Sequence, residues 1–399
     1  MVVSTEQARD LLGFDYYNIF DANLTDAQRA TRDRVRQWVQ TRVLPNINPY
    51  WEKAEFPYEL FYEMGDLGII GGALTEYGCA GLDFVENGLV AYELAKGDGS
   101  VGTAYGVHSG LALSSIGYLA SDEQKARWMP DMVAMKKIGA FGLTEPTVGS
   151  NAAGIKTTAR RDGDHYILNG AKRWIGNASI SNILIVWARD DEGKIGAFVL
   201  EDAPQADGVS MEDIYGKVAK RAVLNAEIHL DNVRIPAENR LEKVRSFKDA
   251  AMVLFNGRYG VAWEAAGCAA GAFEFALQYA LEREQFGKPI AGFQLIQQKL
   301  VEMASEVTAM QAMCMQLAQN AERGMLTEAM SSMAKYHNAS KARRVTQLAR
   351  ETLGGNGIVT ENHIARLWTD AEVIYTYEGS NEINMLIVGR DITGINAFV

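Results

Sequence analysis

The sequence predicts an α+β chain in which a β-rich stretch lies between two helical ones. Three observations carry this. Apolar residues recur at steps of three and four from Leu24 to about Gly139. Alternation and β-branched residues replace that pattern from about Phe141 to Arg240. Helical spacing returns from about Phe247 onward. The expected domains are 1–139, 140–246 and 247–399, in a chain of 399 residues.

The first helix is expected after Thr25, a suitable N-cap ahead of Val35, Trp38, Val39 and Val43 at helical spacing. Further helices are expected over 59–67 and 85–94, separated by Phe56-Pro57 and Tyr77-Gly-Cys-Ala-Gly81. Strands are expected over 155–160, 165–168, 183–188, 195–200 and 226–230, with Asp162-Gly163 and Asn169-Gly170 as hairpin turns. Several strands without an intervening helix suggest an antiparallel barrel or sandwich. In the last third, Phe293, Ile296, Leu300, Met303, Val307, Met310, Cys314 and Leu317 form a stripe that reads as a buried bundle face, with the methionines as core filler.

Composition excludes several functions. Hydrophobic residues make up 48% and charged residues 22%, enough for a large core, and the formal net charge is -11. Nucleic acid and anionic membranes need clustered Lys and Arg, so neither is expected as a partner. Cys79, Cys268 and Cys314 are far apart and odd in number, which argues against a disulfide framework or zinc site. The five histidines show no ligand spacing, so no metal is expected. Neither a signal or transit peptide, nor a membrane-spanning apolar run, nor a peroxisomal C-terminus is legible, and the expected location is cytoplasmic.

The most informative segment is Tyr375-Thr-Tyr-Glu-Gly-Ser-Asn-Glu-Ile-Asn-Met-Leu-Ile-Val-Gly-Arg390. It holds Glu378 between an aromatic residue and a glycine. An aromatic neighbour lowers the local dielectric and raises a carboxylate pKa towards a useful general-base value. Gly379 allows a sharp turn and leaves room for a flat ligand. Alone, such a glutamate is more often a surface residue complementing a helix dipole. Four further motifs run along the chain: Leu143-Thr-Glu-Pro-Thr-Val-Gly-Ser-Asn-Ala-Ala-Gly154, Lys172-Arg-Trp-Ile-Gly-Asn177, Arg283-Glu-Gln-Phe-Gly-Lys-Pro289 and Leu353-Gly-Gly-Asn-Gly-Ile358. In this order around a central β domain, from about Leu24 to the C-terminus, the set resembles the acyl-CoA dehydrogenase and oxidase superfamily.

That resemblance implies an N-terminal α-helical domain, a central antiparallel β-barrel and a C-terminal four-helix bundle, assembled as a homotetramer. It implies FAD as cofactor and an acyl-CoA substrate. Glu378 resembles the base that removes the α-proton while the β-hydrogen leaves as hydride to flavin N5. Leu143, Thr144, Trp174, Ile175 and Gly176 resemble groups around the flavin ring, and Ser150 a flavin-phosphate and substrate-side contact. Arg283, Phe286, Glu351, Gly354 and Gly355 resemble groups holding the FAD of a neighbouring subunit, and Ser380 and Glu382 its adenine half. Arg258, Tyr377 and Gly379, with Ser150, resemble substrate-side residues. Taken singly, Trp174 also reads as barrel core, Gly354 to Gly357 as a helix C-cap, and Arg283 as a surface ion pair. Some relatives carry the base at the position of Gly257, which leaves Glu378 as the candidate here.

Two branches match best. Asp391-Ile-Thr-Gly-Ile-Asn-Ala-Phe398 and Gly257-Arg-Tyr-Gly-Val-Ala-Trp263 resemble glutaryl-CoA dehydrogenases. Their arginine for the distal carboxylate falls here at Gly102, with no arginine nearby in sequence, so a dicarboxylyl substrate is disfavoured. Trp51-Glu-Lys-Ala-Glu-Phe-Pro57, Val107-His-Ser109, Lys172-Arg-Trp-Ile-Gly-Asn177 and Ile374-Tyr-Thr-Tyr-Glu-Gly379 resemble plant short-chain acyl-CoA oxidases. Most dehydrogenases have threonine where this chain has Gly176. The expectation is a short-chain acyl-CoA dehydrogenase passing electrons to an electron-transfer flavoprotein. The alternative is an oxidase passing them to O2; a member with different chemistry and a non-enzymatic flavoprotein rank below both.

Overall fold

The computed structural model describes residues 13–397. Thr25 caps α1 (Asp26–Trp38) with a closed capping box: its hydroxyl accepts from the Gln28 N–H, and Gln28 Oε1 accepts from the Thr25 N–H at 2.9 Å. A π-helical turn leads to α2 (Leu44–Lys53), followed by α3 (Tyr58–Glu63), whose end tightens into a 3-10 turn. Then come α4 (Phe84–Gly97) and α5 (Gly99–Tyr105). A π-helical stretch, Gly106–Leu113, continues α5 into α6 (Ser114–Leu119), and α7 (Asp122–Val133) closes the region.

The central segment is one curled sheet of seven strands: β1 (Gly139–Gly142), β2 (Thr158–Asp162), β3 (His165–Gly176), β4 (Ile183–Asp190), β5 (Ile195–Glu201), β6 (Val209–Asp213) and β7 (Asn225–Pro236). Its pairing is mixed rather than wholly antiparallel. β1 and the start of β2 run parallel to β4, and the remaining pairs in this sheet are antiparallel. Asp162-Gly163 forms the β2–β3 hairpin as expected, with Gly163 at φ +60. Asn169-Gly170 does not form a turn. It lies inside β3, at a bulge where Gly170 passes so close to Thr157 that a Cβ would meet its backbone at 2.8 Å. A second bulge between Lys172 and Ile175 puts Trp174 at φ +64 and turns its side chain outward.

The C-terminal segment holds three long helices, α8 (Phe247–Glu282), α9 (Gln294–Glu322) and α10 (Glu328–Thr352). The remaining side of the bundle is built from two short helices, α11 (Ile364–Thr376) and α12 (Asn381–Thr393), broken at residues 377–380. Of the expected α9 stripe, Leu300, Met303, Val307, Met310, Cys314 and Leu317 are buried, whereas Phe293 and Ile296 are half-buried near the helix start. One core joins the N-terminal helices to a face of the sheet through Trp128, Phe141 and Trp187; a second fills the bundle around Trp263.

The bundle meets the N-terminal helices backbone to backbone. Along the α4–α8 crossing, a Cβ on Gly267 would lie 2.1 Å from the Tyr92 carbonyl oxygen, and one on Gly271 2.6 Å from that of Lys96. Gly267→Ala should therefore destabilise the protein by about 2–3 kcal/mol, the usual scale for overpacking against atoms that cannot move aside. Urea denaturation followed by circular dichroism checks this; a loss below about 0.5 kcal/mol would mean the helices part freely.

Candidate active site

The break between α11 and α12 places the candidate base. Tyr377 ends α11, Glu378 takes φ +53, Gly379 takes φ +78, and the Ser380 hydroxyl caps α12 by accepting from the Ile383 N–H at 3.4 Å. A left-handed glutamate costs about 1–3 kcal/mol and persists only where neighbours over-determine it. Here they do. Lys335, fully buried on α10, donates to the Tyr375 carbonyl at 3.0 Å and to the Gly379 carbonyl at 2.9 Å. Asn384 Nδ2 donates to the Gly379 carbonyl at 2.8 Å. Asn381 Nδ2 donates to the Tyr336 carbonyl and to Ser340 Oγ.

The Glu378 side chain is half-buried, and its Oε2 is shielded from solvent with no hydrogen-bond partner. Gly257 of α8 makes room for it: a Cβ there would lie 2.7 Å from Oε2. Arg258 lies beside the same turn, its Nη1 paired with Glu328 at 2.6 Å and its Nε buried without a partner. Burial pushes the Glu378 carboxyl up to about 7; Arg258 and Lys335 oppose the rise and Glu264 adds to it. Burial likewise lowers Lys335 to about 8, opposed chiefly by Glu378.

A second group gathers Leu143, Thr144, Trp174, Ile175 and Gly176. Lys172, wholly buried, donates to the Leu143 carbonyl at 3.1 Å and to Glu145 Oε1 at 3.0 Å, and the Arg173 N–H donates to the Thr144 carbonyl at 2.9 Å. Glu145 also accepts from both the N–H and hydroxyl of Thr157. Leu143 and Ile175 are buried, but Trp174 is 52% exposed, which rules it out as barrel core. Gly176 has its side-chain space partly filled by Val107, whose Cγ2 would stand 3.0 Å from an added Cβ. Helix α5 and its π continuation link this group to the Glu378 turn: Val107 faces Gly176, the Ala104 carbonyl accepts from Asn177 Nδ2 at 3.0 Å, and Thr103 reaches the cluster around Tyr377.

Arg283, Phe286, Glu351, Gly354 and Gly355 lie together in a groove of about 510 Å³ that also includes Tyr279, Phe293 and Asn356. Phe286 is 94% exposed, and Cβ atoms added at Gly354 or Gly355 would meet nothing within 4 Å. Arg283 pairs with no acid among the described residues, so it is not a surface ion pair. Gly354, at φ +58 directly after the last turn of α10, does also serve as a C-cap glycine. Ser380 and Glu382 lie at the start of α12, outside this groove, and Glu382 accepts from the Tyr375 hydroxyl at 2.8 Å. Ser150 sits exposed in the loop between β1 and β2.

The fold also assembles a buried polar cluster that sequence reading missed. The Tyr377 hydroxyl is engaged inside the protein, donating to Glu264 and accepting from Lys220 Nζ at 2.6 Å. Lys220 also donates to Glu264, and to Thr103 Oγ1 at 2.7 Å. Arg366, wholly buried, pairs with Asp98 one turn from Gly102, so an arginine does lie near that segment, brought there by the fold. Glu264 carried a signal, a lone acid in the apolar run Gly260-Val-Ala-Trp-Glu-Ala-Ala-Gly267. Lys220 carried none.

The models of the acyl-CoA dehydrogenase N-terminal, middle and C-terminal domains match residues 25–136, 140–233 and 247–393. The chain belongs to the acyl-CoA dehydrogenase family. Its members are oxidoreductases, and this chain is one. It is 34% identical to a probable acyl-CoA dehydrogenase, YngJ, of Bacillus subtilis, over 92% of this chain and 98% of the relative. Among solved structures it is similar to a glutaryl-CoA dehydrogenase from Mycobacterium smegmatis, with TM-score 0.92 and 39% identity over 98% of this chain and 99% of that one. A structure of a glutaryl-CoA dehydrogenase from the same organism in complex with FADH2 gives TM-score 0.92 and 36% identity, over 95% and 98% of the two chains. Butyryl-CoA dehydrogenase from Megasphaera elsdenii gives TM-score 0.87 and 33% identity, over 93% and 99%.

The shifted carboxyl carries a stability consequence. Folded Glu378 keeps its proton up to about pH 7, whereas the unfolded chain releases it near 4.5. The native state therefore binds more protons across that window, and stability declines as pH rises through it. Glu378→Gln should be more stable than the native sequence at pH 8 by on the order of 1 kcal/mol, discounted for partial exposure, and should lose that advantage near pH 5. Parallel denaturation curves at the two pH values check this; equal stability at pH 8 would mean the carboxylate is well solvated.

Proposed function

We propose that this chain converts a short, monocarboxylic acyl-CoA to its trans-2-enoyl-CoA, with FAD as cofactor and Glu378 as the base. The observation that supports it best is the Glu378 carboxylate, left without a partner on Oε2 in a strained turn beside Arg258 and the bare side of Gly257. A pKa near 7 makes it a strong enough base to take an α-proton while leaving much of it ionised at neutral pH.

The residues present fit FAD. The exposed Trp174, the pinned Leu143-Thr144 backbone, Ile175 and Gly176 would flank its ring, with Ser150 beyond. Arg283, without an acidic partner among the described residues, would with Phe286, Glu351, Gly354 and Gly355 hold the pyrophosphate end of a neighbouring subunit's FAD, and Ser380 and Glu382 would meet its adenine half. When bound, FAD supplies the acceptor for the hydride that leaves the β-carbon. Arg258 and Gly379 would face the CoA thioester. The Tyr377 hydroxyl is committed inside the protein, so its ring is what remains for substrate.

The monocarboxylic reading rests on charge. The cations near Gly102, Arg366 and Lys220, are neutralised by Asp98 and Glu264, so a second substrate carboxylate would find no free partner there. The reading extends to an electron-transfer flavoprotein as acceptor, a homotetramer, domains at 1–139, 140–246 and 247–399, and a cytoplasmic location. No helix among the described residues is long and apolar enough to cross a membrane.

Glu378→Gln should keep FAD and acyl-CoA binding and lose turnover by several orders of magnitude. The decisive assay is titration of the purified flavoprotein with butyryl-CoA without oxygen, followed at the flavin band. Bleaching in the native protein but not in the variant is expected; bleaching in both would put the base elsewhere.

Oxidase activity is the second reading, favoured by Gly176, where Val107 stands in place of a side chain. Because threonine there would press on Val107, the test is Gly176→Thr combined with Val107→Ala. If Gly176 governs oxygen access, admitting air to the reduced double variant should reoxidise it more slowly than the native protein, and equal rates would remove Gly176 from consideration.

A further inference from the structure

We propose that Lys220 and Glu264 are positioning residues for the base: a buried charge pair that anchors Tyr377 and sets the electrostatic balance around Glu378. The proposal rests on Glu378 being the base and goes beyond it in naming what holds and tunes that group.

The geometry is specific. Lys220 lies in the loop between β6 and β7, is 3% exposed, and adopts φ +44, a conformation that costs a non-glycine residue free energy. Its backbone N–H donates to Asp370 Oδ1 at 2.5 Å, fixing the loop against α11. Its ammonium donates to Thr103 on α5, Glu264 on α8 and the Tyr377 hydroxyl, so all three protons are used. It also lies 4.5 Å from the centre of the Tyr377 ring. The second oxygen of Glu264 accepts from the Tyr377 hydroxyl. Both hydrogen-bonding roles of that hydroxyl are thereby fixed, one residue before the base. On the far side, Lys335 fixes the carbonyls of Tyr375 and Gly379. Glu378 thus projects from a turn clamped at both ends.

Charge gives the second half of the argument. The groups facing Glu378 are Arg258 and Glu264 from α8, and Lys335 from α10. Arg258 is paired with Glu328 at the start of α10, and Lys335 also faces Glu382 of α12. Glu264 opposes ionisation of Glu378, and Lys220 neutralises Glu264. A buried ion pair is weak evidence for stability, since apolar residues of similar volume often do as well. A pair that touches the residue beside the base has a different use.

The experiment is a double-mutant cycle read on the pH dependence of kcat/KM, with butyryl-CoA and an artificial electron acceptor. The acid limb of that profile reports the base in the free enzyme. Lys220→Met leaves Glu264 unneutralised and should move the limb up by about half to one pH unit. Glu264→Gln leaves the ammonium unneutralised and should move it down by a similar amount. Lys220→Met combined with Glu264→Gln should return the limb close to its native position while kcat falls several-fold, because Tyr377 has lost its charged anchors. Tyr377→Phe keeps both charges and should lower kcat with little movement of the limb.

If either single variant fails to fold, the charge-balanced double variant and Tyr377→Phe still decide the matter: native kcat in both overturns the proposal. An acid limb that stays within about 0.2 unit in both single variants overturns it as well, leaving the pair purely structural. Loss of the limb and of turnover in Glu378→Gln keeps the base assignment intact in that case. Retention of turnover in Glu378→Gln removes the base assignment and this proposal together.

Discussion

The Lys220 ammonium is where three parts of the chain are tied to one another, and the turn that carries Glu378 leans on that knot. Helix α5 contributes Thr103, the β6–β7 loop contributes Lys220 itself, and the bundle contributes Glu264 and Tyr377, while Asp370 accepts from the Lys220 backbone N–H. A second buried bond runs beside it. Arg366 of α11 grips Asp98, which caps α5 by accepting from the N–H groups of Ser100 and Val101. Apolar burial would bring these elements together without fixing their angle or register, because it is non-directional. Hydrogen-bonded charges fix both, at a desolvation cost offset only when nearly every donor and acceptor is used.

Not every one is used, and some of the exceptions lie beside Glu378 while others, such as Trp128 Nε1 and Trp187 Nε1, lie in the core far from it. Glu378 Oε2, Arg258 Nε and Asp370 Oδ2 are shielded without partners. Asp370 is pushed up to about 7, first by burial and then by Asp98. Left-handed backbone occurs at Trp174, Lys220 and Glu378, within or beside the candidate site, and also away from it, as at Ala54, Asp202 and Asn232. Strain and unmet polar groups reduce stability wherever they lie, so those held beside Glu378 have to be offset by the contacts that surround its turn. The elevated carboxyl of Glu378 is the clearest case: the burial that strengthens it as a base also disfavours the ionised folded state above neutral pH.

What was legible in the sequence was local. The Thr25 cap, the α9 stripe and most strands depend on residues within a turn or two of each other. Asn169-Gly170 was misread because its conformation is set from outside, by Thr157 and the β7 register. The exposure of Trp174 depends in the same way on a bulge against β7. Glu378 was legible through its motif, but not its partners, since Lys335 lies 43 residues earlier in the chain and Lys220 further still. The Lys220–Glu264 pair bridges a loop and a helix that only the tertiary fold brings together.

Two glycines show that missing side chains shape the site as firmly as present ones. At Gly257 any Cβ would intrude on the Glu378 carboxylate, so that carboxylate occupies its position because α8 is bare at that one point. A side chain there would force the carboxylate aside and press on a turn already clamped by Lys335 and Tyr377. At Gly176 the neighbour is apolar: Cγ2 of Val107, in the π-helical stretch, would stand 3.0 Å from an added Cβ. The first glycine admits a carboxylate, and the second a methyl group. Residue type at either position is therefore inseparable from its neighbour across the gap, and a substitution at one has to be judged together with Glu378 or Val107.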